Sequence, residues 1–362
     1  MAAGGARIRG VPAVNAPPLV PIQPDGDTGV NDTASNEHLV ELTDLSVQFE
    51  LGHRTVDAVR GVSLTMKPGE VLGVVGESGS GKTVTALSLI GLLPPNGSLR
   101  SGSVRFQGQT LDQKRLAEIR GDRIGMVFQN PLSSFNPVLR VGAQIAEVLQ
   151  LHRGMGRKQA IEEAGLLLVR VGISEPQKRL MSYPHEFSGG MLQRAMIAMA
   201  IACQPALLIA DEPTTSLDVT VQAQVLELFA GLRADFGMGL LLITHNLAVV
   251  ANVADRVVVM YAGRVVEHGP VREVLGSPTH PYTAGLLQAV PKLGNADPLQ
   301  AIPGQPPSLT GRVNGCAYRT RCPLAGPECE ADPPLRLVLA DREAACWNAD
   351  AAMLRKFRGA RE

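Results

Sequence analysis

Gly76, Glu77, Ser78, Gly79, Ser80, Gly81, Lys82 and Thr83 spell G-x-x-x-x-G-K-[ST], the sharpest chemical pattern in the chain. The apolar run Val71-Leu72-Gly73-Val74-Val75 precedes them, and Val84-Thr85-Ala86-Leu87-Ser88-Leu89, compatible with a helix, follows. A strand, a glycine loop and a helix in that order form a cradle for phosphate. Glycine lets the backbone wrap close to phosphate oxygens, and amides at the helix start point at the anion. Lys82 would neutralise charge on the terminal phosphates, and the Thr83 hydroxyl would hold Mg2+. A second pattern is Leu207-Leu208-Ile209-Ala210-Asp211-Glu212, an apolar strand ending in two carboxylates. Such an end sits at the rim where α/β sheets bind ligands. Alone, two acids there read as a solvated turn. Beside a phosphate loop, Asp211 fits a Mg2+ ligand and Glu212 a base that activates water in line with a γ-phosphate.

The elements that must position these groups are legible as short apolar runs without alternation: Val71 to Val75, Leu207 to Ala210, Leu240 to Thr244 and Arg256 to Met260. Strands covered on both faces look like this, so the expectation is an α/β fold with a central parallel sheet between helices. Order is expected to begin near Leu39, where Leu39 to Leu42 and Leu45 to Phe49 alternate as half-buried strands do. Between Pro137 and Gln204 the spacing turns helical, with Val141, Ile145, Val148 and Leu149, then Leu166 to Val169, then Met191, Ala195 and Ile197 to Ala202. That is a helical insertion between strands of one sheet. Tyr261 to Glu267 reads as a hairpin turned at Gly263.

The chain has 362 residues, with 34 Lys+Arg balancing 34 Asp+Glu. Zero formal net charge argues against the broad basic footprint of a protein that binds nucleic-acid backbone. The longest uncharged apolar stretch, Ala195 to Ala210, is broken by Gln204 and Pro205 and is too short to span a bilayer as a helix. Residues 1–36 hold five prolines and no continuous apolar stretch of the signal-peptide kind, which predicts a disordered leader and synthesis for the cytosol.

Phe187-Ser188-Gly189-Gly190-Met191-Leu192-Gln193-Arg194 opens the helix that leads into the acidic strand, with Ser188 placed to cap it. With this segment the chain resembles the ATP-binding subunits of ABC transporters, over about residues 37 to 335. The resemblance implies a P-loop NTPase core with a helical subdomain, ATP and Mg2+ at the site, and a second ATPase subunit whose γ-phosphate Ser188, Gly189 and Gly190 would face. It implies that Gln129, after Ile124 to Phe128, touches Mg2+ and the attacking water and couples to membrane subunits. It implies that His245 contacts the γ-phosphate and that Ser216-Leu217-Asp218 forms the loop reaching the partner ATPase. Phe49 occupies the approximate place of the aromatic that stacks on adenine, although a strand aromatic also serves a core. Asn246 and Leu192 depart from the residues common at their positions. The implied layout is a leader at 1–36, an ATPase domain at 37–285 with its helical part at about 137–204, and a small Cys-rich C-terminal extension at 286–362. A soluble ABC ATPase acting on nucleic acid or ribosomes is the main rival. A P-loop kinase leaves the Ser188 segment and His245 without a role.

Ser277 to Leu287, the later Cys-rich segment and Asn130 to Pro137 resemble the oligopeptide/dipeptide permease ATPases. That implies peptide import with two transmembrane permease subunits and an extracytoplasmic substrate-binding protein, at the cytoplasmic face of the cell membrane. Importers of nickel, glutathione or another small solute share these features. Cys316, Cys322, Cys329 and Cys346 lie in a Pro-rich tail with few apolar residues, and in a reducing cytosol such a cluster argues for metal over disulfides. The spacing matches neither the common zinc-finger nor the bacterial ferredoxin run. By resemblance a [4Fe-4S] cluster is the first expectation, Zn2+ the second and free thiols the third, with the metal stapling a tail too poor in core to fold alone. Cys203 reads as a small buried residue.

Overall fold

A computed structural model describes residues 37–215, 217–290, 301–311 and 313–349. The expected leader and Ser216 lie outside these. The strands are β1 (Val40–Leu51), β2 (Arg54–Met66), β3 (Val71–Val75), β4 (Gly97–Phe106), β5 (Gln109–Thr110), β6 (Ile124–Val127), β7 (Leu207–Asp211), β8 (Gly239–Thr244), β9 (Arg256–Tyr261), β10 (Arg264–Pro270), β11 (Arg336–Leu339) and β12 (Arg342–Ala344). The helices are α1 (Lys82–Leu89), α2 (Gln113–Ile119), α3 (Val141–Arg153), α4 (Arg157–Arg170), α5 (Pro176–Leu180), α6 (Gly189–Ala200), α7 (Val219–Phe236), α8 (Leu247–Val253), α9 (Val271–Gly276) and α10 (Pro281–Gln288).

Two compact units share the chain, one containing Phe135–Ala202 and the other the described residues up to Ser134 together with those from Cys203 onward. The larger unit holds an eight-stranded sheet in the order β11-β12-β10-β9-β3-β8-β7-β6 and a four-stranded antiparallel sheet in the order β2-β1-β4-β5. Strands β9, β3, β8, β7 and β6 run parallel, and every residue of β3, β7 and β8 is buried. That is why they lack alternation: both faces are covered. The core beneath β1, β2 and β4 joins Leu45, Val62, Leu72, Leu89, Ile209 and Val258 in one apolar cluster. The β9–β10 hairpin turns on Ala262 and Gly263, both with positive φ, the backbone a two-residue turn needs to match strand twist.

In the smaller unit, Val141, Ile145 and Leu149 of α3 are buried, as are Ala160, Ala164, Leu167 and Leu168 of α4. These are single stripes at helical spacing. Gly142 permits a close approach, since a Cβ there would lie 2.6 Å from the Leu180 carbonyl.

In the C-terminal extension the described residues add strands to the main sheet. Strand β12 pairs antiparallel with β10 and β11 with β12, while Thr310 bridges Val56 of β2 and the Asp57 amide donates to the Leu309 carbonyl. A segment with too few apolar residues for a core of its own is ordered by borrowing backbone partners from a finished sheet. Among the described residues no helix is long and apolar enough to cross a membrane.

Candidate phosphate site

Strands that run parallel deliver their C-terminal ends to one rim, and the chemistry collects there. Val75 of β3 lies in register with Thr244 of β8, Asp211 of β7 with Ile243 of β8, and Val127 of β6 with Ala210 of β7. Gly76, Glu212, His245 and Gln129 therefore leave the sheet on the same side, although their sequence positions span much of the chain.

The loop from Gly76 to Thr83 is held in a shape only certain residues accept. Gly76 and Gly81 have φ of 156° and 99°. A side chain on Gly76 would run into the Met260 carbonyl, and one on Gly81 would lie 2.6 Å from the Ala58 carbonyl. The Gly263 amide of the β9–β10 turn donates to the Ser80 carbonyl. Lys82 is buried and its ammonium donates to the carbonyls of Gly76 and Glu77 at 2.8 and 2.9 Å. Burial lowers the Lys82 pKa, opposed by the negative charges of Glu212, Asp211 and Glu77. The Thr83 hydroxyl donates to Asp211 Oδ1 at 3.1 Å. Burial also raises the Asp211 pKa; the Thr83 hydrogen bond opposes that and the charge of Glu212 adds to it. A hydroxyl and a carboxylate brought together beside a lysine suit Mg2+, a hard cation that takes oxygen ligands.

Glu212 adopts φ 45°, a left-handed backbone that L side chains rarely take, and its amide donates to the Ile243 carbonyl. Strain of this kind persists where the surroundings over-determine it. Here they do: Gln129 Nε2 and Thr215 Oγ1 each donate to Glu212 Oε2 at 2.9 Å, and His245 Nδ1 lies 3.4 Å from Oε1.

The remaining sequence-derived residues are defined by their local surroundings. Ser188 caps α6, its hydroxyl accepting from the Met191 amide, and Gly189 faces open space; these belong to the helical unit. Asp218 caps α7 by accepting from Val221, and Asn246 caps α8 by accepting from Ala248 and Val249. The ring of Phe49 covers Gly97 on β4 and packs against the core.

Cys316, Cys322 and Cys346 are thiols pushed up by burial, the latter two to about 11 and about 12, and each also feels the charge of other cysteines in the group. Yet among the described residues no three His, Cys, Asp or Glu side chains are arranged to hold a metal ion. The expectation of an iron–sulfur cluster or zinc at Cys316, Cys322, Cys329 and Cys346 is therefore unsupported. The contacts shown in the tail are protein ones: the Cys316 amide donates to the Cys329 carbonyl, and Arg336 donates to the Cys346 and Trp347 carbonyls.

Sequence reasoning missed three residues at the site. Thr215 was visible but carried no pattern. Tyr282 accepts a hydrogen bond from the Glu77 amide at 2.8 Å, and Arg321 grips the Glu77 carboxylate with both terminal nitrogens at 2.8 and 2.9 Å. No local signal links positions that far apart.

Comparison with known proteins resolves the family. The ABC transporter family matches residues 59–215, and the C-terminal region of the oligopeptide/dipeptide transporters matches 266–329. The oligopeptide transport ATP-binding protein OppD of Salmonella typhimurium is 48% identical over 313 residues, 85% of this chain and 93% of that one. This chain is an ABC transporter ATP-binding protein. A putative peptide import ATP-binding protein of Brucella melitensis is 48% identical over 88% of this ABC ATPase and all of that relative. Among solved structures, the dimeric post-hydrolysis state of the ATP-binding cassette MJ0796 bound to ADP and Pi superposes with TM-score 0.58 at 27% identity. That match covers 64% of this chain and 99% of the other. The ABC ATPase therefore has the cassette fold, and the α/β expectation holds.

Proposed function

We propose that this ABC ATPase powers the uptake of oligopeptides or dipeptides. It would work on the cytoplasmic face of the membrane beside a second ATPase subunit, two permease subunits and an extracytoplasmic binding protein. The match of residues 266–329 to the oligopeptide/dipeptide transporters carries the cargo reading; the relatives described as peptide importers support it. The ATPase domain is assigned to 37–285, its helical part to about 137–204, and the extension to 286–362.

In this reading the glycine loop and Lys82 hold the β- and γ-phosphates of ATP, the lysine giving up its bonds to the Gly76 and Glu77 carbonyls as it turns to the anion. Thr83 and Asp211 would hold Mg2+, which would neutralise charge on the phosphates. Glu212 takes a proton from the attacking water as the bond from the γ-phosphorus to its bridging oxygen breaks, giving ADP and phosphate. Gln129 and Thr215 aim that carboxylate by occupying one oxygen, and His245 contacts the γ-phosphate. Phe49 is assigned to the adenine, Ser188, Gly189 and Gly190 to the γ-phosphate bound by the partner subunit, and Asp218 to the loop that reaches that subunit.

Reconstitution in vesicles with its permease subunits and binding protein tests the proposal. Di- to pentapeptides are expected to stimulate ATP hydrolysis and to accumulate inside. Stimulation by nickel or glutathione with none by peptides overturns the cargo reading, and co-purification with nucleic acid or ribosomes in place of membranes overturns the transport reading.

A further inference from the structure

Glu77, in the phosphate loop, is held at its amide by the Tyr282 hydroxyl, at its carbonyl by the Lys82 ammonium and at its side chain by the Arg321 guanidinium. Arg321 lies in the C-terminal tail and is itself fixed from every side. Its Nε donates to the Pro303 carbonyl at 2.8 Å and Nη1 to the Tyr261 hydroxyl at 3.2 Å. The guanidinium carbon stands 5.7 and 6.0 Å from the ring centres of Tyr261 and Tyr318. Tyr261, Tyr282 and Tyr318 pack on one another with centroids 4.5 to 5.4 Å apart. The arginine is 7% exposed, so a two-pronged ion pair in a restricted dielectric joins tail to loop.

We propose that Arg321 is a positioning residue for the ATP site: by neutralising and fixing Glu77, it lets the C-terminal tail set the affinity of the phosphate loop for nucleotide. The inference rests on the reading of Gly76 to Thr83 as the ATP-binding loop. The charge of Glu77 reaches the Lys82 ammonium. Left unpaired, that carboxylate opposes the polyanion that Lys82 and the loop amides attract, and a carboxylate stripped of its buried partner is costly in its own right. The Tyr282 hydroxyl and Arg321 also pin both ends of the Glu77 residue, so the turn into the glycines cannot relax toward another shape. A tail displaced from the sheet edge would take Arg321 with it and weaken ATP binding without touching a phosphate ligand.

Binding of a fluorescent ATP analogue to the full chain, with KM and kcat for ATP, tests this through a double-substitution cycle. Arg321→Met is expected to weaken binding and raise KM about tenfold, the scale of coupling through a packed network, with kcat nearly unchanged. Adding Glu77→Gln to it removes the unpaired charge, and the double variant is expected to bind several-fold tighter than Arg321→Met alone, which lost packing would not produce. Arg321→Lys keeps the charge without the two-pronged grip and should fall between wild type and Arg321→Met. Arg321→Met binding like wild type, or a double variant no tighter than Arg321→Met, overturns the proposal. If Arg321→Met does not fold, Arg321→Lys indistinguishable from wild type in binding and KM overturns it. Lys82→Ala separates the two readings. Undiminished binding in that variant sinks the ATP-loop assignment itself, whereas lost binding there with unchanged Arg321 variants sinks only the tail's role.

Discussion

Gln129 donates through Nε2 to Glu212 Oε2 at 2.9 Å, across 83 residues of sequence. The bond is possible because β6 and β7 are parallel neighbours whose ends stop at the same level. It occupies one carboxylate oxygen, as does Thr215, and leaves Oε1 toward His245.

Glu212→Gln should therefore retain ATP binding, because the side chain is isosteric and contacts no loop residue, while hydrolysis drops about 10²–10⁴-fold, the usual worth of a positioned base. Phosphate release and nucleotide binding measured on one preparation check both halves. An ATP-bound dimer that persists in size-exclusion chromatography is the expected companion. Undiminished turnover removes Glu212 from the base role.

Asp211→Asn should stabilise the nucleotide-free chain and cripple Mg2+-dependent hydrolysis. Burial raises the folded-state pKa of Asp211 above its ordinary 3.8, so the folded chain binds this proton more tightly than the unfolded one. Stability from this group is then present below 3.8, is lost as pH rises through the elevated folded value, and is absent above it. The amide carries no charge to desolvate and still accepts from Thr83. Thermal unfolding followed upward from below pH 3.8 is expected to show the variant's advantage growing as pH rises.

Ser188 separates capping from phosphate contact. Ser188→Ala loses the bond to the Met191 amide and should cost the helical unit about 1 kcal/mol. Ser188→Asp keeps a cap acceptor, so unfolding should stay near wild type. Its charge would face the partner's γ-phosphate and suppress hydrolysis. Full activity of the Asp variant would remove Ser188 from that contact.

Arg342→Met should destabilise the chain by about 3–5 kcal/mol, the cost of leaving a buried charge alone. Glu267 is fully buried, Arg342 is 2% exposed, and they meet at 3.0 Å. Glu267 also accepts from Thr279, through its amide and hydroxyl, and from the His280 amide. Urea unfolding checks the size. Pairing the change with Glu267→Gln should recover part of the loss.

The phosphate loop, the acidic strand end, the parallel sheet and the helical insertion could be read from sequence because each is local: a few contiguous residues suffice to wrap an anion, end a strand or repeat an apolar stripe. Gln129 and His245 were recognisable only as members of a motif set, since their meeting at Glu212 depends on which strands are neighbours. The tail is the opposite case. Its cysteines suggest a metal staple, whereas the contacts the structure shows are backbone pairing to β10 and Arg321 on Glu77. Arg321 stands 244 residues from its partner. A charged side chain carries no mark of the carboxylate it will meet, because ion pairs form through space. Only the tertiary structure, by laying the tail against the glycine loop, decided that this arginine meets Glu77.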